Sequence, residues 1–239
     1  MYLIVKRTID FIFSLISLVI LSPVFLILVI SIKMDSRGPI LFKQKRVGIH
    51  KTHFEILKFR TMLIDTPKDA PTHLLANPEQ YITRVGKFLR KTSLDELPQL
   101  VNILTGEMAL IGPRPPLWNQ YDLIAERDKY GANDILPGLT GWAQINGRDT
   151  VSIEDKAWFD GEYVRKIGLR MDINVFIQTI ILVLNKSGVV EGRNGAIGDE
   201  EVAKNVRRKQ LNIKENATKV GAFIIGLTTL GGFYLSYFQ

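Results

Sequence analysis

The chain has 239 residues, of which 46% are hydrophobic, and a mean hydropathy of +0.09, which favours a small domain with membrane elements. Cysteine is absent, so disulfides and thiolate metal sites are excluded and a reducing compartment is compatible. The formal net charge of +7 suits an anionic partner. Nucleic acid is not the expected one, because basic residues flank apolar segments and no zinc-finger or RNP-like pattern occurs.

The first element is an almost continuous apolar run over residues 11–32, long enough as a helix to cross a hydrocarbon core of about 30 Å. It is too long for a signal peptide. Pro23 removes one backbone hydrogen bond, and the Ser22 hydroxyl can bond a carbonyl one turn back, which offers a bend. From these residues alone, a spanning helix and a re-entrant helix are equally favoured. The positive-inside rule gives no orientation, because basic residues lie on both sides: Lys6, Arg7, Lys33 and Arg37.

A short β-hairpin is predicted next, from β-forming residues at 40–47 and 53–60 separated by Gly48. After a proline-bearing loop, Asn77-Pro78-Glu79 is typical of a helix start. The helix that follows has one apolar and one basic face, which suits an anionic membrane surface or the outside of a core.

Two adjacent carboxylates, Asp95 and Glu96, precede an apolar run with helical spacing, so they are expected at a helix N-terminus, where anions are favoured. One interpretation is a capping box, with Ser93 as the cap and Glu96 three residues later. The other is catalysis at a phosphate-binding helix end. Pro98 argues against the simple capping box, because the helix must start at Pro98 or be distorted there.

The later chain contains loops and two further helices. Residues 112–116 form a proline-rich loop that holds Arg114, whose guanidinium suits phosphate oxygens, and a helix can start at Pro116. Residues 137–148 are predicted to be a loop. Ser152 caps one helix, and Asp172 opens another, which is too short to span a membrane and reads as buried or interfacial.

The C-terminal part changes in character. Residues 191–219 are polar and charged, as in a linker or solvated helix, whereas residues 220–238 are apolar and carry no charge. The second segment suits membrane insertion or self-association, because it has small residues at four-residue spacing, although a tail docked on the domain stays open.

Four motifs in one order give a specific resemblance. They are KFRTM at residues 58–62, the stretch 92–114 with its Asp-Glu pair, GPRP at 112–115 and PGLTGWAQINGR at 137–148. Together they resemble the bacterial monotopic phosphoglycosyl transferases, from about residue 6 to residue 190. Residues 191–239 depart from the family pattern.

The resemblance implies a reaction and a set of roles. A UDP-sugar would give its sugar-1-phosphate to a polyprenyl phosphate, expected to be undecaprenyl phosphate, with release of UMP. Asp95 would be the nucleophile that forms an aspartyl-phosphosugar, and Glu96 would hold Mg²⁺ or assist Asp95, with both carboxylates as metal ligands. Phosphate groups would be bound by Lys58, Arg114 and Arg148, with Asp172 as a further possible site residue.

The same resemblance implies an α+β, predominantly helical, monotopic membrane protein at the cytoplasmic face of the bacterial inner membrane. Its re-entrant helix would occupy residues 1–36 and break at Ser22-Pro23. A catalytic domain with interfacial amphipathic helices and a small hairpin would follow over residues 37–190. Residues 191–239, which the resemblance does not cover, are expected to be a C-terminal extension. Membrane lipids and a possible homodimer are the further partners.

Two other functions stay open from the sequence. A membrane-anchored scaffold of polysaccharide assembly would use the same apolar and basic segments without needing the carboxylate pair. A direct-transfer glycosyltransferase would release UDP in place of UMP. No P-loop, dinucleotide-binding turn or Asp-x-Asp metal motif is present.

Overall fold

The computed structural model describes residues 1–66, 78–147 and 151–184. Within these ranges helices dominate, accompanied by two sheets of two strands each, which confirms the predicted α+β, mainly helical class. Three predictions lie outside the described residues: the phosphate-binding role of Arg148, the end of the domain after residue 184, and the C-terminal extension with its apolar segment 220–238.

The elements follow one another in this order: α1 (Tyr2–Ile20), α2 (Ser22–Asp35), β1 (Leu41–Val47), β2 (His53–Phe59), α3 (Arg84–Thr92), α4 (Gln99–Thr105), β3 (Ala109–Ile111), α5 (Tyr121–Asp128), β4 (Gly138–Thr140), α6 (Trp142–Ile145), α7 (Ile153–Lys166) and α8 (Leu169–Leu184). Short 3₁₀ turns lie at Ile49–Lys51, Pro78–Tyr81 and Leu94–Glu96.

The N-terminal apolar run is two helices, α1 and α2, that meet at Leu21 with a bend of 62°. The Ser22 hydroxyl donates to the Val19 carbonyl at 2.8 Å. Pro23 lies in the first turn of α2, where a missing N–H costs no helical hydrogen bond. Among the described residues no single helix has the length and apolarity to cross a bilayer, whereas the bent pair passes that test when taken together.

Strands β1 and β2 form the predicted antiparallel hairpin, with Leu41 opposite Phe59 and Val47 opposite His53. A second sheet was not predicted: β3 and β4 pair in parallel through Ala109–Gly138 and Ile111–Thr140. The loop prediction for residues 137–148 is therefore wrong, since β4 and α6 occupy part of it. Three residues of strand are too few to show a period, and the glycines that suggested a loop serve close packing.

Two predicted helix starts are also wrong. Pro78 begins a separate 3₁₀ turn, and α3 begins only at Arg84, where the Gly86 N–H donates to the Thr83 hydroxyl at 2.9 Å. Helix α5 begins at Tyr121 and not at Pro116. The predicted cap at Ser152 is confirmed, because its hydroxyl accepts from the Asp155 N–H at 3.1 Å.

The core joins the N-terminal helices to the domain on both sides of β2. On one side Ile56, Ile103 and Met108 are buried, and Leu18 and Leu21 of α1 and its bend pack against them. The other side is a second cluster that α2 shares with β2 and α3: Leu28, Ile32, Phe59 and Leu89. Helices α1 and α2 are therefore part of the folded domain.

Polar contacts fix the start of α1 as well. Arg7 donates to the carbonyls of Ile103 and Leu104, at 2.5 and 3.0 Å, and so supplies a cation to the C-terminal end of α4. The neighbouring Lys6 donates to Asp172 of α8 at 2.7 Å. Both basic residues that precede the apolar run thus bind the domain.

Candidate active site

The Asp95-Glu96 pair lies in a tight 3₁₀ turn between α3 and α4. Ser93 before it adopts a left-handed conformation, with φ of 57°, and its side chain makes no capping hydrogen bond. Helix α4 begins directly after Pro98, as the proline predicted. The capping-box interpretation is therefore wrong, and the Glu96 side chain is available for other contacts.

Glu96 binds two cations with one oxygen. Its Oε1 accepts from Lys58 Nζ at 2.7 Å and from the Arg114 guanidinium at 3.0 Å. The three side chains are largely buried, with exposed fractions of 16% for Lys58, 14% for Glu96 and 30% for Arg114. Residues from β2, the 3₁₀ turn and the loop after β3 are thus brought together, although they are far apart in sequence.

Asp95 lies in the electrostatic field of the same cluster. Burial raises its pKa above the usual value and the Glu96 carboxylate acts in the same direction, whereas Lys58, Arg90 and Arg114 oppose the rise. No hydrogen bond to the Asp95 carboxylate occurs in the part of the chain that the structure describes. This carboxylate therefore lies near three cations, and none of the three donates a hydrogen bond to it.

Lys58 is held in an environment that disfavours its charge. Desolvation lowers its pKa, with a smaller contribution in the same direction from Arg114, while Glu96 and Asp95 raise it. A buried ammonium of this kind needs an anion nearby, and Glu96 supplies it. An incoming phosphate oxygen could take the same place.

The loop that carries Arg114 is fixed by backbone hydrogen bonds to β4. The Gly112 N–H donates to Thr140 O, and the Gly138 N–H donates to Pro113 O, both at 2.9 Å. A Cβ on Gly138 would lie 2.1 Å from Gly112 N, so this contact requires glycine. The unpredicted second sheet therefore positions one of the predicted site residues.

Two arginines acquire roles that sequence reasoning did not assign. Arg60 is buried and donates to three carbonyls of the turn after α2 at 2.6–2.8 Å, those of Ser36, Arg37 and Pro39, so it fixes the exit from α2. Arg90 donates to the Thr61 hydroxyl at 2.9 Å, and its charge acts on Asp95. The KFRTM motif contains Arg60 itself and Thr61, the partner of Arg90. Of this motif only Lys58 is a predicted site residue.

Asp172 has different partners. Its carboxylate accepts from Tyr2, Lys6 and Tyr163, each at 2.7 Å, and it is only 8% exposed. These contacts tie the start of α1 to α7 and α8, and no described contact joins Asp172 to the Asp95 cluster. The structure thus brings together Lys58, Asp95, Glu96 and Arg114, and places Asp172 in a separate buried network.

Comparison with known proteins agrees with this arrangement of motifs. The family model described as "Bacterial sugar transferase" matches residues 1–186. The chain belongs to the bacterial sugar transferase family. This confirms, at the level of the family, the resemblance to phosphoglycosyl transferases.

Several relatives of the sugar transferase have curated names. The "Uncharacterized sugar transferase EpsL" of Bacillus subtilis is 36% identical over 187 residues, which cover 78% of this chain and 91% of that protein. The "UDP-glucose:undecaprenyl-phosphate glucose-1-phosphate transferase" of Escherichia coli is 36% identical over 188 residues, 73% of this chain and 39% of that protein. The "Undecaprenyl-phosphate glucose phosphotransferase" of Komagataeibacter xylinus is 37% identical over 185 residues, 73% of this chain and 35% of that protein. The chain thus spans well under half the length of the last two.

Asp95 and Glu96 are the described carboxylates that would hold a magnesium ion if one binds. Mg²⁺ is commonly bound by one or two carboxylates together with substrate phosphates and water. Asp95 and Glu96 are two such carboxylates, and no group of three or more His, Asp and Glu side chains in the described ranges could hold a metal alone. The donor set therefore suits an ion completed by phosphate oxygens.

Proposed function

We propose that this sugar transferase moves sugar-1-phosphate from a UDP-sugar to a polyprenyl phosphate, and that Asp95 becomes covalently bound to phosphorus on the way. The observation that carries the proposal is the position of Asp95, a partly buried carboxylate within the field of Lys58, Arg90 and Arg114. The names of relatives described as undecaprenyl-phosphate sugar transferases support the substrate classes.

The reaction proceeds in two displacements. In the first, an Asp95 oxygen attacks the β-phosphorus of the UDP-sugar, and the bond from that phosphorus to the bridging oxygen breaks, so UMP leaves. In the second, a phosphate oxygen of the polyprenyl phosphate attacks the same phosphorus and releases the Asp95 carboxylate. Each step forms one P–O bond and breaks one, and the lipid product carries the sugar through a diphosphate.

The cations explain how one anion can attack another. A carboxylate and a diphosphate repel each other unless positive groups neutralise the phosphate oxygens. Lys58 and Arg114 already converge on Glu96 Oε1, and a phosphate oxygen can replace that acceptor without moving either cation far. Arg148 is proposed as a third phosphate-binding residue.

Magnesium is the proposed cofactor, held by Asp95 and Glu96. When bound, it would neutralise phosphate charge and help to orient the leaving group. In this proposal Asp95 supplies the nucleophile, and Lys58 and Arg114 bind phosphate oxygens. As substrate enters, Glu96 would release Lys58 and Arg114 to the phosphate and bind Mg²⁺ in their place.

The exposed apolar surface supports the proposed place at the cytoplasmic face of the bacterial membrane. Large apolar side chains are exposed on three helices, namely Ile4, Phe11, Ile12 and Ile16 on α1, Leu26, Ile27 and Ile30 on α2, and Ile173, Phe176, Ile177 and Ile180 on α8. Phe13 of α1 contacts Phe176 of α8, with ring centroids 6.0 Å apart. Surface of this kind suits lipid contact. The re-entrant course of α1 and α2, the monotopic character and the division into domains are part of this proposal.

The re-entrant course predicts the labelling of two single cysteines. Leu3→Cys lies in the first turn of the bent pair and Arg37→Cys lies just after its end, and the chain has no cysteine of its own to label. Both should react with a membrane-impermeant maleimide from the cytosolic side, and so should Lys43→Cys on the exposed hairpin, which is the control. Labelling of Leu3→Cys only from the opposite side would show a spanning helix.

Nucleotide release tests the reaction itself. Detergent-solubilised protein, incubated with Mg²⁺, polyprenyl phosphate and a panel of UDP-sugars, should release UMP with one or a few of the sugars. Release of UDP would indicate direct glycosyl transfer. A panel with no nucleotide release would favour the scaffold function and overturn the proposal.

A further inference from the structure

Among the described residues, one edge of strand β2 is covered by no other strand. Its sheet consists of β1 and β2 alone, yet two backbone groups on the open edge of β2 are paired. The Leu57 N–H donates to Asn102 Oδ1 at 3.0 Å, and the Glu55 carbonyl accepts from Asn102 Nδ2 at 2.9 Å. A single side chain of α4 therefore takes the place of a third strand.

The Asn102 amide is fully used. Besides its two bonds to β2, its Nδ2 donates to Glu107 Oε2 at 2.7 Å, and the residue is only 2% exposed. An asparagine offers two donors and an acceptor in one plane, whereas aspartate lacks the donors and leucine lacks both. The contact therefore depends on this residue type.

Two contacts join β2 to the segment that contains the proposed nucleophile. Lys58, the residue after Leu57, binds Glu96, and Leu57 itself binds Asn102. Glu96 and Asn102 are six residues apart, or about 9 Å along a helical segment. The two contacts thus fix the position of the Asp95-Glu96 turn along β2 and its rotation relative to Lys58.

We infer that Asn102 is a positioning residue, which holds the Lys58 ammonium at the phosphate site opposite Asp95. This inference rests on the proposed function. A shift of β2 by one residue would turn Lys58 to the other face of the strand, and Asn102 opposes such a shift by binding two backbone groups whose spacing matches one register. Asn102 is buried and its amide binds β2 and Glu107, so it would act through Lys58.

A double-mutant cycle between Asn102 and Lys58 tests this inference. Asn102→Leu should lower kcat for UMP release at least tenfold at a temperature well below unfolding, with KM for the UDP-sugar changed less than threefold. In the Lys58→Met background, the same substitution should have less than a threefold effect, because the residue through which it acts is gone. An equal loss in both backgrounds, or no loss in either, would overturn the inference.

Thr105→Val is the matched control. Thr105 lies on the same helix and its hydroxyl donates to the Asn102 carbonyl and to Glu107, and among the described residues its hydroxyl makes no hydrogen bond to β2. It should change kcat less than twofold. If Asn102→Leu does not fold, Asn102→Ser removes the reach to β2 without adding apolar bulk, and the same outcomes apply to it.

A measurement without turnover separates this inference from the proposed function. The rate at which Lys58 reacts with an amine-directed acylating reagent can be measured by mass spectrometry at several pH values. This rate depends on the surroundings of the Lys58 amine. Asn102→Leu should increase that rate at least threefold at pH 8, and Thr105→Val should leave it within twofold of the wild type. An unchanged rate rejects positioning by Asn102 even if UMP is released, whereas an increased rate in a protein that releases no UMP rejects only the proposed reaction.

Discussion

Asp95→Asn is expected to lower UMP release by at least about 10³-fold and to abolish the phosphosugar adduct, because an amide oxygen cannot serve as the nucleophile. Adduct formation is measured by intact-protein mass spectrometry after incubation with the UDP-sugar alone. Asp65→Asn, at an exposed aspartate in a turn, is the control and should retain the wild-type rate. Full activity in Asp95→Asn would remove Asp95 from its proposed role.

The same variant should be more stable than the wild type at neutral pH. Burial raises the folded-state pKa of Asp95, so the folded protein binds this proton more tightly than the unfolded chain does. Its contribution to stability is therefore present below the usual aspartate pKa and is lost as the pH rises through the raised value. An amide never ionises and avoids that loss.

Thermal unfolding checks this sign. A gain of only about 1 kcal/mol would raise Tm by about 2–4 °C in a chain of this size. The gain should be present at pH 7 and shrink towards pH 3, where the wild-type carboxyl is protonated too. A lower Tm for Asp95→Asn at pH 7 would indicate that attraction to Lys58, Arg90 and Arg114 outweighs burial.

Elements whose sequence pattern lies within a few neighbouring residues were predicted correctly. The hairpin follows from two β-rich segments around Gly48, and the start of α4 follows from Pro98, because proline constrains its own backbone and the residue before it. The cap at Ser152 is a similar case. Each of these signals lies within a few residues of the structure that it predicts.

Contacts between distant segments could not be read in this way. Nothing in the spacing of Lys58, Glu96 and Arg114 shows that one carboxylate oxygen lies between the two cations, and their grouping in the sequence came from the family resemblance. The pairing of β3 with β4 and the bond between Asn102 and β2 join residues 29 or more positions apart. Such contacts depend on how helices pack on a shared core, which periodicity does not specify.

Lys6 and Asp172 illustrate the same limit. By sequence, Lys6 belongs to a set of charges that flank a membrane segment, and Asp172 is explained by the dipole of its helix. The structure joins the two in a buried ion pair, with side chains only 9% and 11% exposed. The start of α1 is thereby tied to α8, so loss of this pair should weaken the packing of α1 on the domain.

Removal of Asp172 should therefore have a large effect on stability. Asp172→Ala deletes the acceptor of Tyr2, Lys6 and Tyr163, and leaves the Lys6 ammonium buried with Asp10 at 3.7 Å as its remaining anion in the described network. Loss of one partner of a buried pair costs about 3–5 kcal/mol. Thermal unfolding in detergent should show a decrease in Tm of roughly 10 °C.

Two further variants test the cause of this loss of stability. Lys6→Met in the Asp172→Ala background should recover part of the lost stability, because the unpaired charge is removed. Glu55→Ala, which breaks the exposed pair with Lys43, should cost less than about 1 kcal/mol.

If Asp172 instead takes part in the reaction, Asp172→Ala would lose UMP release at low temperature while its Tm stayed near that of the wild type. A lower Tm with activity retained per folded molecule is the outcome that the buried network predicts. In that case Asp172 stabilises the fold and takes no part in the reaction.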